Sequence, residues 1–294
     1  MSCCGGKGGG RSGGRSRRLK PKTARDMKVQ MVKEYRAHII MCRPKYYSIN
    51  YSINPWMDVD NSVDRKKALG QWITLESKIR QLGAEVSHIP PRDGLPDMVF
   101  TANAGLYLNN GVFILSSFKY EERQREEEHF QKWFLDQGHE VQWTEHKFEG
   151  AGDALYLGDK LVGGFGFRTE EDVYELNFPA DIRVKLIDPY FYHLDTCFCP
   201  LQNGDYLIWP GAFDENGLKN IRYIGNNEIS VIESEAKQFA CNAVVIGKDV
   251  ILPSGCPDTI QKLHQSEYVT HEIEMSEFIK SGGACKCLTL KINY

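Results

Sequence analysis

The stretch NAGLYLNNGVFILSSF (103–118) sets two apolar runs on either side of Asn109-Asn110-Gly111. An Asn-Gly turn between short apolar segments predicts a β-hairpin. The same design returns three times, as DALYLGDKLVGGFGF (153–167), CFCPLQNGDYLIWPGAF (197–213) and NAVVIGKDVILPSGC (242–256). The copies begin 44 to 50 residues apart. A period in that range points to a repeat architecture, such as an array or a propeller.

Between the copies the spacing of apolar residues changes from two to three and four. DRKKALGQWITLESKIRQLG (64–83) and EERQREEEHFQKWFLDQG (121–138) read as helices ending on glycine, and IESEAKQFA (232–240) as a shorter third. A fifth unit is split across the chain: AHIIMCRPKYY (37–47) and ACKCLTLKIN (284–293) are both strand-like. Pairing the two ends would close five units around one axis, as a propeller closes. The predicted organisation is therefore one α/β domain over 31–294 behind a tail over 1–30.

The tail differs in kind. Positions 1–28 hold nine Lys or Arg against Asp26 alone, so they carry +8 and the remainder of the 294-residue chain carries −11. Gly, Ser and Arg dominate it, a composition that predicts a disordered, solvated extension. The functional alternative is a membrane-surface contact made by lipidated Cys3 and Cys4 beside the basic cluster. An acidic body argues against a specific nucleic-acid partner. No run approaches a membrane span and no apolar leader stands at the start, so a cytoplasmic setting is expected, with the nine cysteines as free thiols. Cys42, Cys241 and Cys256 read as small buried hydrophobes.

Aligning the five units also aligns Asn103, Asp153, Cys197, Asn242 and Cys287 where each first strand begins. Equivalent positions around a ring meet at its centre, which predicts a polar central site containing a thiol. Cys287, in GGACKCLT (282–289), is the candidate nucleophile; read as strand, the segment turns Cys285 and Cys287 to one side and Lys286 to the other. In YHLDTCFCPL (192–201), His193 and Asp195 are two apart, so a strand would offer an imidazole and a carboxylate to one pocket, suited to a cationic, nitrogen-rich substrate. The two Cys-x-Cys pairs are too tightly spaced for an ordinary zinc site, and no metal is expected. Asp97, Phe100 and Asn103 recur at three-residue steps, and Glu149 and Asp153 flank a glycine turn. Buried carboxylates there need a cationic partner, which a substrate would supply; turn capping is the alternative. Arg168 either offers a guanidinium fork to a substrate carboxylate or makes a surface salt bridge to Glu170 or Glu171. The phosphate-loop and dinucleotide fingerprints are missing, so no cofactor is expected.

Taken together and in order, MVFTANAG, FEGAGDAL, GFGFRT, YHLDTCFCPL and GGACKCLT resemble the guanidine-modifying superfamily of arginine deiminases, dimethylarginine dimethylaminohydrolases and amidinotransferases. The resemblance covers about residues 36–294 and implies a five-fold pseudosymmetric α/β propeller. It also implies that Cys287 attacks a guanidinium carbon to give a covalent amidino-thioether, and that His193 protonates the departing amine and then activates water. Asp195 would bind guanidinium nitrogens. Arg168, Asp97 and Phe100 would hold the amino-acid end and stem, while Glu149, Asp153 and Asn242 line or brace the site. HLDT, where dimethylarginine hydrolases have HLKS, favours unmethylated arginine. The neutral Asn103, where deiminases carry Asp, is similar to cyanobacterial-type arginine dihydrolases, which take arginine to ornithine, ammonia and carbon dioxide. Amidino transfer to an amine, hydrolysis of dimethylarginine and a silent arginine-sensing protein are the alternatives.

Overall fold

Each of the four quoted repeats folds as an antiparallel hairpin followed by a helix and a third strand that returns parallel to the hairpin's second strand. The computed structural model describes residues 36–292, and expectations for the basic tail and for Cys3 and Cys4 lie outside the described residues. The chain opens with β1 (His38–Cys42), α1 (Arg65–Gln81) and β2 (Glu85–Ile89). The first hairpin is β3 (Gly105–Tyr107) and β4 (Val112–Leu115), followed by α2 (Glu121–Gln124), α3 (Glu126–Asp136) and β5 (Glu140–Gln142). The second is β6 (Ala154–Leu157) and β7 (Lys160–Phe165), with α4 (Val173–Leu176) and β8 (Ile182–Lys185). The third is β9 (Phe198–Pro200) and β10 (Tyr206–Ile208), with α5 (Glu215–Ile224), β11 (Glu228–Ser230) and α6 (Glu233–Ala236). The fourth is β12 (Val244–Ile246) and β13 (Asp249–Pro253), with α7 (Pro257–Gln265) and β14 (Val269–Ile273). Helix α8 (Ser276–Ile279) leads to β15 (Leu290–Lys291).

Among the described residues these strands form five three-stranded sheets of one pattern: β3-β4-β5, β6-β7-β8, β9-β10-β11, β12-β13-β14 and β15-β1-β2. The expected pairing of the two chain ends is present, with Ile39 opposite Lys291 and Ile40 opposite Leu290 in antiparallel register. A left-handed glycine sits in every hairpin turn: Gly111, Gly158, Gly204 and Gly247 have φ of 90°, 63°, 79° and 64°. The third strands, absent from the sequence reading, are short and half exposed: β5 buries no residue fully.

Helix α1 follows the expected period. Ala68, Trp72, Leu75 and Ile79 are buried along one face, Asp64 caps its first turn by accepting from Lys67 N at 3.0 Å, and Gly83 ends it at φ 94°. The region expected as one helix from 121 to 138 is instead two, broken between Gln124 and Glu126. The break turns Arg123 inward, where it is 3 % exposed. Three large apolar clusters fill the space between sheets and helices, and the described residues form one compact unit. No helix among them is long and apolar enough to cross a membrane.

Candidate active site

The turns that precede the four hairpins and β15 are joined to one another in a cycle. Ala102 N donates to Cys287 O at 3.1 Å, Asn103 Nδ2 to Glu149 O at 3.1 Å, and Leu194 N to Asp153 Oδ1 at 3.0 Å. Asn242 Nδ2 donates to Asp195 O at 2.9 Å, and Ala284 N returns a bond to Asn242 Oδ1 at 3.0 Å. Each bond crosses from one repeat to the next. Four of the five aligned residues thereby meet in one polar cluster. Cys197 does not: its thiol donates to the carbonyls of Leu194 and His193 at 3.5 and 3.8 Å, and burial pushes it well above the ordinary thiol range.

Cys287 lies in a turn, correcting the strand expectation for 282–290; strand pairing starts only at Leu290. Gly282 adopts φ 79°, and a Cβ there would sit 2.8 Å from the Tyr192 hydroxyl. Both cysteines belong to the apolar cluster with Phe278 and Leu288, but Cys287 also lines a pocket and Cys285 does not. Asn242 holds the turn. Its Oδ1 accepts from Cys287 N at 3.1 Å as well as from Ala284 N, and its Nδ2 donates to Cys287 Sγ at 3.1 Å. The Asp195 oxygens stand 3.6 and 3.7 Å from the same sulfur. Burial and the Asp195 charge push the Cys287 thiol well above its ordinary range, so it rests protonated at neutral pH. Asp195 itself is pushed up to about 7 by burial, against the pull of Lys286.

A testable consequence concerns Asp195→Asn. Removing a like charge beside the sulfur should lower the thiol's pKa and speed iodoacetamide alkylation of Cys287 at pH 8 by about three- to tenfold, even as turnover is lost. Alkylation rates against pH, followed by mass spectrometry, check this; an unchanged or slower rate would show that Asp195 does not control the thiol.

His193 and Asp195 are not on a strand either. His193 caps the 3₁₀ turn Leu194–Thr196, which sends the two side chains to different partners. His193 Nε2 is 2.7 Å from Glu149 Oε2, and Arg168 Nη1 donates to the same carboxylate at 3.0 Å. Burial works to raise Glu149, but Arg168, His193 and Arg123 outweigh it and hold the carboxyl well below the usual range. Glu149 is therefore ionised. His193 is pushed down to about 4 by burial, so the imidazole rests neutral with its Nε2–H donated to Glu149. Asp153 buttresses the group by accepting from Thr169 Oγ1 at 2.7 Å and from Leu194 N.

Arg168 does not make the surface pair with Glu170 or Glu171. Besides Glu149 it donates to Ile53 O at 2.8 Å, and its guanidinium lies 4.6 Å from the ring centroids of both Tyr120 and Tyr192. Asp97, Phe100 and Asn103 fall on two successive 3₁₀ segments, Pro96–Val99 and Thr101–Ala104 with Phe100 between them, whose three-residue period accounts for their spacing. Asp97 Oδ2 accepts from Tyr51 at 2.9 Å, while its buried Oδ1 has no partner among the described residues.

Asp97, Phe100, Asn103, Arg168, His193, Gly282 and Cys287 line one pocket, joined by residues the sequence reading missed: Ile53, Asn54, Met57, Arg123, Tyr192 and Ser281. Glu149, Asp153, Asp195 and Asn242 stand behind the lining and hold it through the bonds above. Arg123 donates to Asn103 Oδ1 at 2.9 Å and is clamped by both Glu126 oxygens at 3.0 and 2.8 Å. Asn54 ties its segment to the rest of the lining, donating to Tyr192 Oη at 3.2 Å and Ser281 O at 3.1 Å. Only about 10 Å³ remains free inside, far below the roughly 300 Å³ at the low end of ligand sites. Admission of a small molecule therefore requires residues of the lining to shift.

The glycine turn of EGAGD is dictated by this crowding. Gly150 has φ 66°, and a Cβ on Gly152 would collide with Asn103 Nδ2 and approach the His193 ring. Gly152→Ala should cost about 1–3 kcal/mol of stability through overpacking and lower kcat more than it raises KM. Thermal melts with steady-state kinetics check this; a fully active, equally stable variant would contradict the packing.

The seven described cysteines are unpaired and buried, and the described residues contain no group of three or more His, Cys, Asp or Glu placed to hold a metal ion.

No model of a known protein family matches the chain. It is 42% identical over 268 residues to a bifunctional arginine dihydrolase/ornithine cyclodeaminase, AgrE, of a Nostoc species, covering 87% of this chain and 38% of that protein. The chain thus spans little more than a third of the length of that curated relative. It is 34% identical to an N(G),N(G)-dimethylarginine dimethylaminohydrolase of Mycobacterium tuberculosis, covering 86% of this chain and 85% of that enzyme. Among solved structures, the N-terminal domain of ArgZ, a cyanobacterial arginine dihydrolase crystallised with substrate, superposes with a TM-score of 0.84 at 39% identity, covering 87% of this chain and 98% of that one.

Proposed function

The chain belongs to the guanidino-group-modifying superfamily of arginine dihydrolases and dimethylarginine dimethylaminohydrolases, and from that premise we propose that it is a thiol-dependent arginine dihydrolase. The observation that carries the reading is the convergence on one pocket of a thiol held by Asn242 and Asp195 and an imidazole held by Glu149.

A resting thiol and neutral imidazole need activation, and an entering guanidinium provides it: its positive charge beside Asp195 favours the thiolate. The thiol proton passes to His193 Nδ1 as the sulfur bonds to the guanidinium carbon, and His193 then delivers that proton from Nδ1 to the departing nitrogen, which leaves as ammonia. Water, deprotonated by His193, then displaces sulfur and gives citrulline. The partnerless Asp97 Oδ1 suits the substrate's α-ammonium, since a buried acceptor left unsatisfied is costly. Arg123 and Arg168, both lining the pocket, supply positive potential for its carboxylate.

Asn103 supports the second half of the reaction. Arg123 uses its oxygen and Glu149 O takes one of its two N–H groups, so what the amide turns to the pocket is a donor. A donor suits the ureido oxygen of neutral citrulline. A second thiolate attack expels the second ammonia, and water releases ornithine's carbamate, which loses carbon dioxide. In sum, arginine and two waters give ornithine, two ammonia and carbon dioxide.

The architecture is read as a five-fold pseudosymmetric α/β propeller forming a single domain over 31–294. Five like sheets and the hydrogen-bonded cycle of turns support it. Mass analysis of products from arginine, citrulline and dimethylarginine tests the function. Ornithine from both of the first two is expected. Citrulline as the end product would reduce the reading to a deiminase, turnover of dimethylarginine alone would replace the substrate, and turnover only with an added amine would make the chain an amidinotransferase.

A further inference from the structure

Of the five N–H groups of a guanidinium, Arg123 commits four inside the protein: Nε and Nη2 donate to the two Glu126 oxygens, Nη2 also to Asp97 O at 3.2 Å, and Nη1 to Asn103 Oδ1. Glu126 is fully buried and stands outside the pocket lining, with both oxygens turned to Arg123. Burial works to lower Arg123, but Glu126 outweighs it and holds the guanidinium above its ordinary range. Arg123 is therefore always a donor, and the Asn103 atom that faces it is the amide oxygen. Turning the amide over would set Nδ2 against Nη1, donor against donor, and Oδ1 against Glu149 O, acceptor against acceptor. We propose that Arg123 and Glu126 are positioning residues for the second hydrolysis: they fix and polarise the Asn103 amide so that its free N–H is offered to the ureido oxygen of citrulline.

This inference rests on the dihydrolase reading and adds what selects the second step. The guanidinium of arginine presents N–H groups alone, so the Asn103 N–H finds no acceptor on it. Citrulline differs at one atom. Its ureido oxygen accepts, and it gathers negative charge as the sulfur bonds to the ureido carbon. A donor already fixed at that oxygen stabilises the charge as it forms. A cation bonded to the amide oxygen draws electrons from the amide nitrogen and strengthens that donor. The N–H that Arg123 has left over serves both substrates alike, because arginine and citrulline share one amino-acid end. Arg123 and Glu126 thus act on the ureido group through Asn103, and their loss falls on the citrulline step.

The test compares, in the full chain, kcat/KM for ornithine formation from citrulline with kcat/KM for consumption of arginine. Weaker binding of the shared amino-acid end, or a general loosening of the site, lowers both and cancels in the ratio. Glu126→Gln sets an amide N–H against one guanidinium N–H and loosens the clamp. The ratio should fall about tenfold, the scale of one hydrogen bond, and citrulline should accumulate while arginine is consumed. Arg123→Met/Glu126→Leu removes the pair without stranding a buried charge, so its fold should persist even where that of Glu126→Gln does not. It should lower the ratio at least as far, with melting curves confirming which variants fold. A wild-type ratio in either folded variant, with both rates falling in step, would overturn the inference and leave the dihydrolase reading intact. No ornithine from either substrate in the wild type would overturn that reading and the inference with it.

Discussion

Cys287→Ala is expected to remove arginine turnover by at least about 10⁴-fold, the scale on which loss of a covalent nucleophile acts, while arginine still binds. The substitution leaves a void of one sulfur in a turn whose backbone is held independently by Asn242 Oδ1, so the fold should persist with little change in melting temperature. Binding should survive because the groups proposed for the amino-acid end, Asp97, Arg123 and Arg168, lie on other segments. Calorimetry with arginine beside steady-state assays separates the two effects. Retained turnover would remove Cys287 from the chemistry.

The second large effect is that of Glu149→Gln. Glu149 is fully buried and receives His193 Nε2 and Arg168 Nη1 on one oxygen. Its neutral replacement strands the Arg168 guanidinium in the interior, a loss of about 3–5 kcal/mol for a broken buried pair. It also removes the acceptor that orients the imidazole, so kcat should fall about 10²–10⁴-fold, the contribution of a positioned general acid and base. The sign of the pH effect follows from the depressed carboxyl. Its stabilisation is complete above the unfolded carboxylate range, near pH 4.3, and is lost as pH falls toward its lower folded value. The variant should therefore show a shallower decline in stability on the acid side. Chemical denaturation between pH 3 and 8 checks this, and an unchanged acid limb would contradict the ionised buried pair.

The hairpins were legible because a left-handed glycine between apolar runs is a local signal, and Gly111, Gly158 and Gly247 all carry it. The closing pair β15 and β1 was legible from the strand character of both ends. Strands such as β5 and β11 were not, since three residues with at most one buried are too short a run for an alternation to be read. The turn around Cys287 was misread as strand for a physical reason. What bends it is Asn242, 45 residues away, and no local pattern reports that clamp. Arg123 was missed because in EERQREEEHF it is indistinguishable from exposed neighbours. Its burial depends on Glu126 nearby and on Asn103 and Asp97 O far upstream. The Asn54 segment was missed likewise, since its hold on Tyr192 and Ser281 is entirely long-range.

The most direct test is intact-mass and peptide-level analysis of the chain quenched with acid during turnover of arginine. The account predicts a transient adduct on Cys287 equal to arginine less one ammonia, absent from Cys287→Ala and gone once substrate is exhausted. Turnover in which Cys287 stays unmodified at every quench time, or an adduct on another residue, would contradict it.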